Sequence, residues 1–121
     1  MFKKLFGGRP GGGPVEKNLS IEDLVVLERY DEAIGRLEAK IKTSPRDLHA
    51  HLKLAEVYTL LGKGAKALDQ YQFVADCYTD DGFYDKSLAL LTKVSRLAPG
   101  DESVLARMHR NQRLKSLEHS R

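Results

Sequence analysis

From Ser20 onward, apolar residues return every three or four positions, broken at short intervals by glycine, proline and paired aspartates. That period is helical, and no stretch alternates apolar and polar residues as a half-buried strand does. Ser20 opens the pattern. Its hydroxyl can cap a helix, with Asp23 three residues on and Glu22 in the electropositive first turn. Leu24, Val25 and Leu27 give a short first helix ending near Glu28. Ala33, Ile34, Leu37 and Ile41 define a second, closed before Pro45 because the residue ahead of a proline is pushed out of helical backbone. Asp47 caps a third, in which Leu48, Leu52, Leu54, Ala55, Tyr58 and Leu61 lead to Gly62, a good C-terminal stop. A fourth is expected from about Ala65 to Tyr78, before Asp80, Asp81 and Gly82. A fifth runs from about Tyr84 to Leu97, before Pro99 and Gly100, and Asp101 caps a sixth from Glu102 to about Leu117. The pattern predicts an all-α antiparallel stack of about six helices joined by tight turns.

An internal repeat orders these helices. Asp31, Glu32, Ala33 and Ile34 resemble Ala65, Lys66, Ala67 and Leu68, which lie 34 residues further on. Asp85, Lys86, Ser87 and Leu88 repeat the motif again, only 20 residues later. The middle unit carries His51, Leu54, the small Ala55, Tyr58, then Ala67 and Tyr71. The preceding unit contributes Ala33, Leu37 and a closing Pro45; the following one contributes Ser87, Leu91 and a closing Pro99. The middle unit lacks its proline and has Thr79 there. One arrangement accounts for both irregularities: the fourth helix closes one pair through Ala67, Tyr71 and Val74, and opens the next through Tyr71, Val74, Ala75 and Tyr78. Packed on two sides, it needs a wide apolar face, and Ala67, Leu68, Tyr71, Phe73, Val74, Ala75, Cys77 and Tyr78 supply one.

The 34-residue period with small residues at Ala55 and Ala67 resembles the tetratricopeptide repeat family across roughly residues 20–117. His51 stands where that family usually has tryptophan. The stretch at residues 81–88 is similar to a variant found in bacterial proteins with overlapping repeats. The resemblance implies an α-solenoid with a concave surface for a partner peptide or domain, and a sixth helix acting as a solubilising cap, where Val104, Leu105 and Met108 give way to Arg110, Asn111, Gln112 and Arg113. It implies a non-enzymatic adaptor or scaffold. A groove-facing stripe is expected at His49, Leu52, Lys53, Glu56 and Leu60, and Leu52 and Glu56 argue against the carboxylate-clamping variety of the family. Phe73 shares a helix face with Cys77 and is a further candidate anchor, with core packing as its plainer role.

Residues 1–19 read as a separate arm, 20–117 as the folded domain and 118–121 as a tail. In the arm, residues 7–14 are glycine and proline but for one arginine, a composition that predicts a flexible linker. Ahead of it, Phe2, Leu5 and Phe6 beside Lys3 and Lys4 could act as a docking motif or a weak membrane hook, with an inert tail as the alternative.

Composition narrows the function classes. Hydrophobic residues at 41% and charged residues at 31% fit a soluble domain with a charge-rich surface. No apolar run approaches the roughly 20 residues that span a bilayer, and the basic N-terminus has no apolar segment behind it to make a secretory signal. Cys77 has no second cysteine to pair with and no basic neighbour in sequence, so a buried small hydrophobe in a reducing, cytoplasmic setting is expected. His49 and His51 point to opposite sides of a helix, and His109 and His119 lie apart from them, so neither a metal nor another cofactor is implied. Asp80 and Asp81 beside Gly82 read as turn formers, not as an acid–base pair. Net charge is +3. Arg107, Arg110, Arg113 and Lys115 on the last helix make a nucleic-acid-associated role the rival reading, but they drift around the helix with no aromatics between them, which argues against it. A homodimer through the terminal helix is left open.

Overall fold

The caps expected from sequence close as drawn. Ser20 Oγ accepts the Asp23 amide at 3.0 Å while Asp23 Oδ2 accepts the Ser20 amide at 3.0 Å. Asp47 takes the Ala50 amide, and Asp101 takes those of Ser103 and Val104. The computed structural model describes residues 19–120. Among them are six helices and no strand: α1 Ile21–Val26, α2 Tyr30–Thr43, α3 Leu48–Leu60, α4 Gly64–Asp80, α5 Tyr84–Leu97 and α6 Glu102–His119. Each packs antiparallel on the next. Residues 1–18, and with them Phe2, Leu5 and Phe6, lie outside the described residues.

The turns repeat more strictly than the sequence. α1 stops at Val26, earlier than expected, because Glu28 enters the left-handed region at φ 58°. There the Glu28 amide bonds the Val25 carbonyl and the Arg29 amide reaches back to Leu24. Gly62 and Gly82, at φ 74° and 83°, build the same closure, with Lys63 reaching back to Tyr58 and Phe83 to Tyr78. The next residue is alike in all three: Arg29, Lys63 and Phe83 have φ near −92°, −96° and −90° with ψ 64°, 68° and 65°. A second kind of turn follows α2 and α5, where Ser44 and Ala98 adopt φ −133° and −135° ahead of Pro45 and Pro99.

The first kind of turn therefore falls at residues 28, 62 and 82, with the spacing of the sequence motif. α4 is both entered and left through it. This helix ends one pair and begins another, packing against α3 and α5 and also reaching α6. The small residues Ala33, Ala67 and Ser87 are all buried at equivalent places, as are Leu37, Tyr71 and Leu91 one turn later. Small side chains let the helices approach closely, and the larger ones fill the seam beyond.

At 17 residues α4 is longer than expected at both ends. Thr79 replaces the proline that would have stopped it. Its Oγ1 lies 3.0 Å from the Ala75 carbonyl, donates to Asn111 Oδ1 at 2.8 Å and sits 2.9 Å from Ser87 Oγ. The Ser87 hydroxyl donates to the Ala75 carbonyl, and Asn111 Nδ2 to that of Arg107. All three side chains are buried, so this network locks α4, α5 and α6 together. Asn111 is thus not the solubilising residue expected of a cap; it is 1% exposed.

Candidate functional site

α3 and α5 both pack along α4 but hardly touch one another. Where α3 ends, α4 begins and α5 ends, the gap between them opens as a cleft of about 430 Å³. Thr59, Gly62, Gly64, Ala65, Ala67, Leu68, Val94, Leu97 and Ala98 line it. The sequence builds this hollow by omission: Gly62 and Gly64 at its mouth have no side chain, and a Cβ placed on either would meet open space. The walls are apolar. Leu97 remains 51% exposed, and Leu60, also exposed, stands at the same end of α3.

The lining itself carries no charged side chain. Lys63, Lys66, Lys93 and Arg96 stand among or beside the lining residues in sequence, as do Asp69 and Asp101. Lys66 Nζ sits 5.6 Å over the Tyr58 ring and Lys93 Nζ 5.5 Å over Tyr71, contacts that hold a cation without neutralising it. Burial pushes the Tyr58 phenol above its ordinary range, and the Glu38 charge adds to this.

The expected stripe on α3 is divided by the structure. His49 and Lys53 line a different groove, about 560 Å³, with Ile21 and Glu22 of α1 and Arg36, Leu37 and Lys40 of α2. Lys53 Nζ lies 3.4 Å from Glu56 and 3.8 Å from Glu22. These three bring the middle of the stripe together. Leu52 is half-buried against the core, and Leu60 is at the far end of the helix.

Phe73 is part core and part surface. One face stacks on His51, ring centroids 4.3 Å apart, and 38% of the residue remains exposed. His51 is buried, with Nδ1 2.7 Å from Gln70 Oε1 and Nε2 2.8 Å from the Pro45 carbonyl, so it ties the α2–α3 turn to α4. Cys77 is buried, as read, but it does have a basic neighbour. Arg46 of the α2–α3 turn lies near its side chain and donates to Asp81 at 3.2 Å, and both neighbours raise the guanidinium's pKa above its ordinary value. Thirty-one residues separate Arg46 from Cys77, so only the fold reveals the contact.

Two of the cations on α6 are engaged. Arg107 makes a two-pronged pair with Asp76 of α4, at 2.9 and 3.0 Å, and Lys115 meets Asp85 of α5 at 2.6 Å. Among the described residues no group of three or more side chains could hold a metal ion, and no helix is long and apolar enough to cross a membrane. No protein-family model matches the chain, and a search of curated proteins finds no matching relative.

Proposed function

We propose that this chain is a non-catalytic protein-interaction module of the tetratricopeptide type, working in the cytoplasm as an adaptor or scaffold. The observation that carries the reading is the α3–α4–α5 cleft: apolar, floored by small residues, open to solvent and edged by an exposed leucine. A bulky side chain seated there would lose water from both surfaces, worth about 1.5–3 kcal/mol for a leucine or phenylalanine. Rigid helices on three sides keep the hollow formed before the partner arrives, which lowers the ordering cost of binding. The repeated turns at residues 28, 62 and 82 support the family assignment, because they reproduce its 34-residue spacing and account for the shorter step.

Photo-crosslinking tests this. A benzophenone amino acid at position 97 in the full chain should capture a discrete protein from nuclease-treated native lysate. The same group at the exposed Leu117, on the last turn of α6, should not. Capture from position 117 alone, or a product that disappears with nuclease, would move the site to α6 and favour the nucleic-acid reading.

A further inference from the structure

The two ends of the stack present opposite charge beside exposed apolar side chains. α1 closes one end, where Glu22 and Val26, like Asp23 and Leu27, lie four residues apart on one helix face. All four are exposed, Val26 to 80% and Leu27 to 55%, and the exposed Glu28 follows them. The cations nearest α1 are engaged: Arg29 pairs with Glu32, Lys53 lies between Glu22 and Glu56, and Arg36 donates to the Leu19 carbonyl. α6 closes the other end. It carries a shallow hollow of about 380 Å³ lined by Arg110, Arg113, Leu114, Ser116 and Leu117, with no carboxylate in the lining. Arg107 and Lys115 are in ion pairs within the fold, but among the described residues Arg110 and Arg113 are in none. Glu118, the acid nearest in sequence, lines a different hollow with Lys115 and Asp85.

We infer that α1 of one copy of the chain docks on α6 of the next, head to tail. Val26 and Leu27 cover the hollow beside Leu114 and Leu117, while Asp23 and Glu28 meet Arg110 and Arg113. Charge selects this pairing over the symmetric ones. α6 against α6 sets the arginines against their own copies, and α1 against α1 does the same with carboxylates. A contact between unlike patches leaves one free end of each kind, so it grows into chains or closes into a ring and does not stop at two. A repeat stack lengthens in the same way, each end helix gaining the neighbour it lacks. One helix face per copy is a small contact, which makes the association weak and dependent on concentration. Its residues are separate from those of the α3–α4–α5 cleft, and it holds whatever that cleft binds.

Sedimentation equilibrium of the full chain over a range of concentrations tests this. The weight-average mass should rise with concentration from 13.6 kDa to beyond twice that value, and less steeply as salt is raised. Two double variants then decide the geometry. Arg110→Glu with Arg113→Glu spoils the α6 end, and Val26→Gln with Leu27→Gln spoils the α1 end. All four positions are exposed, so the helical spectrum and the melt should match the parent's. Each variant alone should remain monomeric. Mixed in equal amounts, the two should form a heterodimer that grows no further, because one supplies an intact α1 and the other an intact α6. A benzophenone at position 117 should then join the chain to itself, at twice its mass, and not to a foreign protein. A parent chain that stays monomeric at every concentration would overturn the proposal. Association that only one of the variants loses is the mark of a symmetric contact and overturns it too, as does association that both variants keep.

Discussion

Thr79, Ser87 and Asn111 show how much of this fold depends on a few buried oxygens and one amide. Thr79→Val keeps the shape but removes the hydroxyl, leaving Asn111 Oδ1 without its donor. We expect a loss of about 1–3 kcal/mol, read as a lower midpoint in urea. Asn111→Leu should cost less, because the Thr79 hydroxyl can turn to the Ala75 carbonyl 3.0 Å away. Asp101 gives a pH signature. The Ser103 hydroxyl, then the Val104 and Ser103 amides, hold its carboxyl below the usual carboxylate range. A depressed folded pKa contributes stability that is present above the unfolded value of about 3.9 and fades as pH falls through the lower folded value. Asp101→Asn should therefore flatten the decline of melting temperature below about pH 4. The cap itself was legible in sequence. The buried network was not, since its members come from three helices and a polar residue on a terminal helix reads as solvated until a neighbour covers it.

At the scale of elements, the sequence offsets of 34 and 20 were sufficient to assign α4 its double place, and the turns show why. Gly62 and Gly82 need the left-handed backbone that costs other residues roughly 1–2 kcal/mol, and Glu28 adopts it without that freedom. Gly62→Ala should lower stability by about 1–2 kcal/mol, whereas Glu28→Gly should raise it by up to about 1 kcal/mol. Thermal melts of the two variants beside the parent check the opposite signs. Equal and opposite shifts are not required; shifts of the same sign would mean that the three turns are not equivalent. Helix ends were read less well than helix centres. α4 overran its expected stop because Thr79 keeps the backbone N–H that a proline in its place would lack.

For the whole molecule, the stack was predictable but its useful surface was not. Periodicity placed His49, Leu52, Lys53, Glu56 and Leu60 along α3, yet their exposure depends on how α1 and α2 lie against them. The α3–α4–α5 cleft depends on a gap between two helices that never pair, which no local pattern encodes. Its residues looked like turn glycines and core alanines. Hydrogen exchange read by mass spectrometry, on the full chain with and without a partner captured through position 97, tests the central claim most directly. The account predicts slowed exchange in residues 57–68 and 88–98, with α1 and the first half of α3 unchanged. Slowed exchange in residues 20–22 and 49–53 alone, with the cleft segments unaffected, would contradict it.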